Sequence, residues 1–312
     1  MKAELVFKNG CVYTADKNRT MAQAVAIAGG KIVYVGDNAG VEAFIGPDTQ
    51  VTDLAGKMLM PSFFEGHVHY TKATSTVVGI NLAGMDTEEQ YVNAMKKFLA
   101  DNPNITALRG QGYLEACFPG IGPRKEALDA VSTEIPIVVQ AETLHSLWCN
   151  SKAIEVAGVT NDTPDPENGR IERNPDGSAH GCFRESAQDL ILDALPDYTV
   201  EDYKKGILSF QEMAHKYGFT GAYDPWLNAG SNAIEALKEL DKEGKLTMHF
   251  RGAYWMNPHR GPEQVKEIVD ARERDDKGDL FRICAVKLFM DGVLESLTGF
   301  LLKPHGRRKS TR

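Results

Sequence analysis

No window of the chain approaches the roughly 18 uninterrupted apolar residues of a membrane-spanning helix. The N-terminal stretch Met1 to Gly10 has no signal-peptide core. Both absences lead us to expect a cytoplasmic protein that neither crosses nor contacts a membrane. Cysteine is sparse. The five, Cys11, Cys117, Cys149, Cys182 and Cys284, never fall in a CxxC spacing, which excludes a disulfide framework and a structural zinc knot. They read as reduced, mostly buried thiols. Positive charge is also short: 35 Lys and Arg against 43 Asp and Glu leave a formal net charge of -8, without the basic face that nucleic acids require. What is present is ordinary globular composition over 312 residues, 42% hydrophobic and 25% charged, enough for one large domain or two moderate ones. Such a chain suits a small-molecule partner.

Residues 1–58 read as a meander of short strands, Glu4–Phe7, Cys11–Thr14, Ala22–Ala28, Lys31–Gly36 and Gln50–Leu54, punctuated by the turn dipeptides Asn9-Gly10 and Gly29-Gly30. They resemble half of a β-sandwich. Residues 76–199 mix a helix at Thr87–Leu99 with buried strands at Ile105–Gly112 and Ile135–Ala141, then a turn-rich loop or hairpin from Thr160 to Gly181. From Val200 a helix-then-strand rhythm repeats, with helices near 200–217, 232–243 and 262–275 and strands at Phe219–Asp224, Leu246–Tyr254 and Phe281–Met290. That alternation is the pattern of a parallel sheet or barrel.

Two places carry chemistry. In Met60-Pro-Ser-Phe-Phe-Glu-Gly-His-Val-His-Tyr70, an apolar run delivers His67 and His69 at i, i+2. Along a β-strand this spacing turns both rings to one face, where imidazole nitrogens can share a divalent ion. The pair fits two ordinary polar residues at a strand end equally well, and spacing alone does not decide. In Ala285-Val-Lys-Leu-Phe-Met-Asp-Gly292, Lys287 interrupts an apolar strand. A buried ammonium without a partner is costly, so Lys287 either pairs with Asp291, snorkels to solvent or has a chemical role.

These segments together resemble the amidohydrolase superfamily, in the branch of YtcJ-like proteins and N-substituted formamide deformylases. Pro61 to His69 matches that family's Pro-Gly-Phe-x-[Asp/Glu]-x-His-x-His leader, with Ser62 in place of glycine. Gly110-Gln-Gly-Tyr-Leu114 is similar to its Gly-x-Gly-aromatic segment. Within Glu142 to Ala153, His145, Trp148, Asn150, Ser151 and Ala153 match position by position. His180-Gly-Cys-Phe-Arg-Glu185 resembles a [Thr/His]-Gly-x-x-x-Glu entry into a helix, and Val286 to Gly292 resembles Val-Lys-[Leu/Ile]-Phe-x-Asp-Gly.

The resemblance implies an α/β fold, a metal-dependent-hydrolase TIM-like (β/α)8 barrel with an N-terminal β-sandwich portion and an inserted α+β subdomain. The expected divisions are 1–58 for the sandwich portion, 59–75 for the first barrel strand and 76–199 for the insertion. Barrel units two to four then fill 200–304, and 305–312 form an aberrant basic tail. It implies His67, His69 and Lys287 as metal ligands, the lysine carboxylated by carbon dioxide, around one or two divalent ions, with zinc first in line. His145 is implied as a substrate contact that hydrogen-bonds a carbonyl or accepts a proton, though it fits a loop-to-cap bridge at Asn150 or Ser151 equally well. The activity implied is hydrolysis of carbon–nitrogen bonds other than peptide bonds, in amides or formamides, by metal-activated water. A homodimer stays open.

About four barrel strands are countable where a closed barrel needs eight. The family's further histidines and its aspartate have no match here, and His305 follows Pro304 with no strand before it. The expectation is therefore a C-terminally truncated product. Its alternatives are an inactive fragment of such an enzyme, or a deaminase or isomerase of the same barrel superfamily. On this reading the polypeptide alone should hold little metal and turn over little N-formyl or N-acyl amine. Zinc analysis and an amine-release assay check this, and stoichiometric zinc with turnover would refute it.

Overall fold

A computed structural model of the chain describes residues 1–118, 120–257, 260–290 and Leu302, in two compact units divided after Phe63. In the first unit, strands β1 (Leu5–Lys8), β2 (Cys11–Tyr13), β3 (Met21–Ala22), β4 (Ala24–Ala28), β5 (Lys31–Gly36), β6 (Gln50–Asp53) and β7 (Met58–Leu59) form two sheets, ordered β5-β4-β1-β6 and β3-β2-β7. The order is not that of a simple meander. β1 runs antiparallel to β4, with Val6 opposite Ala26, and parallel to β6, with Val6 opposite Val51. The β4–β5 turn does follow the sequence expectation: Gly29 and Gly30 have φ of 56° and 69°, the positive pair that a two-residue hairpin of matching twist requires. Val6, Ala24, Ala26 and Val41 are its fully buried apolar residues.

The second unit holds two further sheets. Strands β8 (Phe63–Glu65), β9 (Ile80–Asn81), β10 (Leu108–Tyr113), β11 (Ile137–Ala141), β12 (Ser146–Cys149), β13 (Gly169–Arg173) and β14 (Ala179–Glu185) come first in the chain. All but β8 make a six-stranded mixed sheet, β13-β14-β12-β11-β10-β9. The Thr160–Gly181 stretch is indeed a hairpin in its second half, with Arg173 opposite Ala179. The Glu88–Asp101 helix begins where Thr87 accepts from the Gln90 N–H, carries Glu88 and Glu89 in its positive first turn, and buries Tyr91 and Met95 one turn apart. Asn150 also caps a helix, but its fully buried amide does more. Oδ1 accepts from Ala153 and Ile137 N–H, and Nδ2 donates to Ser132 and Ile135 carbonyls.

The remaining strands β15 (Phe219–Leu227), β16 (His249–Trp255) and β17 (Phe281–Lys287) follow the helices Val200–Lys216, Asn232–Lys242 and Gln264–Asp275. They form a sheet ordered β17-β16-β15-β8, in which β15, β16 and β17 are parallel. Among the described residues this sheet is open. The helix–strand alternation read from the sequence is therefore real, and a reciprocal capping box, Thr199 with Asp202, starts its first helix. Ile207, Phe210, Leu237, Leu240, Phe250 and Phe281 fill the layer between helices and sheet. Each contributes roughly 1.5–3 kcal/mol of burial. Asp241 ties the layers, its carboxylate accepting from the Leu280 and Phe281 N–H at the start of β17. Among the described residues no helix is long and apolar enough to cross a membrane.

Two predictions test this packing. Gly206, inside the Val200–Lys216 helix, would place a Cβ 2.6 Å from the Thr74 backbone Cα. Replacing a helical glycine by alanine normally stabilises by roughly 0.5–1 kcal/mol. Here overpacking, roughly 1–3 kcal/mol, reverses the sign. Urea unfolding of Gly206→Ala should show a net loss. The second concerns the ions around Lys204, whose Nζ lies 2.9 Å from Glu243 and 3.1 Å from Glu201. Hydrogen bonds first from Lys245 and then from Lys204 depress the Glu243 carboxyl from 4.5 to about 2. A depressed carboxyl stabilises above its unfolded pKa and loses that contribution as pH falls through the folded one. The stability gap between wild type and Glu243→Gln should be full above pH ~5 and close towards pH ~2, measured by urea melts across that range.

Candidate metal centre

β8 ends at Glu65, so His67 and His69 lie in the segment just beyond the strand, not on it. The i, i+2 expectation of one strand face is corrected to that extent. What holds the pair is a backbone bond between them: Val68 N–H donates to the Tyr223 carbonyl of β15 at 2.9 Å. A second restraint comes from Glu65, whose Oε1 accepts the His67 N–H at 3.1 Å. The two rings stand edge to face with centroids 5.7 Å apart. His67 is exposed and His69 half-buried.

His69 Nδ1 lies 2.9 Å from Oδ1 of Asp224, a fully buried carboxylate on β15. Asp224 accepts two more hydrogen bonds, from the Trp226 N–H at 3.0 Å and from the Thr71 hydroxyl at 3.1 Å. Facing an acceptor-only carboxylate, Nδ1 is the donor of this pair, and in the neutral ring that leaves the lone pair on Nε2. A carboxylate behind one ring nitrogen is the usual device for aiming the other at a metal. Sequence reading placed Asp224 on a strand but gave it no role. It stands 155 residues from His69, and no local spacing links the two.

Lys287 is the last residue of β17, half-buried, directly opposite Trp255 of β16. Its Nζ sits 4.7 Å from the centre of the Phe289 ring, a cation–π contact. Asp291, the alternative partner, lies outside the described residues, as do Gly292 and His305 with the tail to 312. Aromatic rings connect lysine to histidine: Phe289 to Trp226 is 5.2 Å between centroids, and Trp226 to His69 is 6.3 Å. Lys287 and Trp255 close their strands, and Trp226 stands one residue before the end of β15, so this row lies at the C-terminal edge of the parallel strands. That is where α/β sheets carry their sites.

His145 is elsewhere, at the entrance to β12 in the six-stranded sheet. Its Nδ1 is 3.0 Å from Glu185 Oε2, and the Glu185 N–H donates to the His145 carbonyl at 3.0 Å. It does not bridge to the cap at Asn150 or Ser151. Ser151 is held instead by Asp129. Leu144 and Glu185 both adopt left-handed backbone, φ 62° and 51°, strain that flanks the pair. Glu185 was legible only as the last letter of a helix-entry motif, whereas it closes β14 and partners the histidine. Next to it Glu115 accepts from Ser146, Thr143 and Arg184.

Among the described residues no group of three or more His, Cys, Asp or Glu is positioned to hold a metal ion. The donor chemistry nonetheless suits one at the histidine pair: two imidazoles, one with its tautomer set from a buried carboxylate. The chain matches the amidohydrolase family over residues 50–309. It belongs to that family. It is 32% identical over 311 residues to the exoenzymes regulatory protein AepA of Pectobacterium carotovorum subsp. carotovorum, covering 97% of this chain and 66% of that one. It is 26% identical over 302 residues to the N-substituted formamide deformylase of Arthrobacter pascens, covering 94% and 55%. A solved metal-dependent hydrolase of Pyrococcus horikoshii OT3, uncharacterised, shares the fold with a TM-score of 0.73 at 24% identity, covering 96% and 57%. The amidohydrolase chain thus spans between about half and two thirds of each of these three relatives.

Asp224 supplies the test of this geometry. In Asp224→Ala the half-buried Trp226 N–H and the buried Thr71 hydroxyl lose their acceptor, which should cost about 1–3 kcal/mol in urea unfolding. Long-range ¹H–¹⁵N spectra of the folded variant should show His69 released from its single Nδ1–H tautomer.

Proposed function

We propose that this amidohydrolase is a metal-dependent hydrolase of carbon–nitrogen bonds other than peptide bonds, acting on a small amide or formamide. The observation that carries the reading is the buried Asp224 at His69 Nδ1, which leaves Nε2 as the nitrogen that could bind a metal. His67, His69 and Lys287 are the residues that would hold the metal, one or two ions with zinc the first choice for imidazole donors. Carboxylation of Lys287 would turn its cation into an anionic oxygen ligand. In the same reading the β8, β15–β17 sheet is an arc of a (β/α)8 barrel, residues 1–58 are part of a composite sandwich and 76–199 an inserted subdomain. The formamide deformylase among the relatives supports the bond type.

A divalent ion supplies Lewis acidity, acidifying water and polarising a carbonyl. The chain's own contribution is positional. Asp224 keeps the His69 proton on Nδ1, and the Val68–Tyr223 bond holds the two histidines against β15. His145, its Nδ1 engaged by Glu185, would offer Nε2 to the proton given up by the attacking water and, once protonated, could donate it to a substrate carbonyl or to the departing amine.

Titration of the 312-residue chain with Co²⁺ tests the ligand set. Binding of Co²⁺ should be weak, and whatever visible absorption appears at high Co²⁺ should fall in Lys287→Ala and vanish in His67→Ala/His69→Ala. An unchanged spectrum in the double variant puts the ion elsewhere and removes the reading. A second prediction separates reaction classes: any turnover should release amine from N-substituted formamides and no ammonia from aminopurines, and ammonia release would favour a deaminase. Asp224→Asn, which keeps the hydrogen-bonding shape but not the charge, should weaken Co²⁺ binding by roughly 10–100-fold.

A further inference from the structure

His180 opens the motif that Glu185 closes, yet it has no part in the site above. It stands on β14, only 8% exposed, with an oxygen at each ring nitrogen: Asn174 Oδ1 lies 2.8 Å from Nδ1 and the Gly122 carbonyl 3.3 Å from Nε2. Both neighbours are acceptors. The Asn174 amide is oriented by its surroundings, because its Nδ2 donates to Ser178 Oγ at 3.0 Å while that hydroxyl spends its own proton on Asp176 Oδ1 at 2.7 Å. Turning the amide over would take the Ser178 proton from a carboxylate. Nδ1 therefore carries a proton. A neutral imidazole has no second one, so its Nε2 lone pair would face the Gly122 carbonyl, whereas the imidazolium donates to both oxygens. Gly122 belongs to the segment 120–124, which lies directly on the sheet. A Cβ at Gly122 would stand 2.7 Å from Sγ of the buried Cys182, and the indole N–H of the buried Trp148 donates to the Arg124 carbonyl at 2.8 Å.

We propose that His180 is a pH-sensitive latch, whose imidazolium pins the segment 120–124 to β14 and whose loss of a proton releases it. The latch is independent of the hydrolase reading. A contact that only the protonated ring completes is present at low pH and lost as pH rises through the histidine range, about pH 5 to 8. The charged and titratable groups on the elements packed here are these. On the hairpin, Asp176 is held below the usual carboxylate range, first by the Ser178 hydroxyl, and Glu172 pairs with Arg184 at 2.8 Å. Burial pushes the Cys182 thiol up to about 12, so it stays neutral. Beyond the segment, Arg124, Lys125 and Glu126 begin the helix Lys125–Asp129, and the Lys125 charge acts on Asp176. His145, at the entrance to β12, is engaged by Glu185. Release would uncover β14 at Cys182 and loosen the run that begins at Glu115, whose carboxylate accepts from Ser146, Thr143 and Arg184.

The test follows exchange of the Trp148 indole N–H by NMR in the full chain, from about pH 5 to 8, corrected for intrinsic exchange. Because that N–H donates to Arg124 at the end of the segment, its protection reports whether the segment is seated. In wild type the protection should fall about ten- to hundredfold across the range, the equivalent of one hydrogen bond from a charged donor. His180→Thr, with the residue that alternates with histidine at this point of the motif, should be weakly protected and flat with pH. Asn174→Asp places an anion at Nδ1, which favours the imidazolium, and should move the fall to higher pH. Constant protection in wild type, or a fall that persists in His180→Thr, overturns the latch. So does a fall that stays at the same pH in Asn174→Asp, which assigns it to another group such as His145 and decides the matter even where His180→Thr does not fold.

Discussion

The site depends on one buried carboxylate. Asp224 has no solvent exposure and accepts three hydrogen bonds, from the His69 imidazole, the Thr71 hydroxyl and the Trp226 backbone. A buried charge is tolerable only when so satisfied. The same three bonds draw the segment after β8 onto β15 and set the first residue of the aromatic row. The helices and sheet exist around it for ordinary reasons of apolar burial. The placement of His69, Thr71 and Trp226 relative to one another is this carboxylate's doing.

His67, His69 and Lys287 were legible in the sequence because each breaks a local rule. Two histidines end an apolar run, and a lysine interrupts a strand. Asp224 breaks none: an aspartate that closes a short strand ahead of Pro225 reads as an ordinary strand end. Its meaning lies in a partner 155 residues earlier. Glu185 is similar, since a motif reading ends at the residue and the structure turns it back, through left-handed backbone, onto His145. Charged partners that act at long range have no periodicity to betray them.

The fold divides along the same line. Helices with local punctuation were readable: Thr199 and Asp202 cap one, and Gly218 and Gly244, at φ 80° and 66°, end two others. Strand pairing was not. β1 lies between β4 and β6, and nothing in Leu5–Lys8 distinguishes an antiparallel neighbour from a parallel one. His67 and His69 lie just past the end of β8, at the strand exit where the sequence placed them.

Lys287 shows how the pieces constrain one another. Its ammonium sits over the Phe289 ring, against the negative face of the π-system. Carboxylation would replace the ammonium by a carbamate whose negative charge lies on its two oxygens, and an anion is repelled by the face that attracts the cation. The cation–π contact and the anionic ligand are therefore alternative states of one side chain, and passage between them frees the Phe289 face.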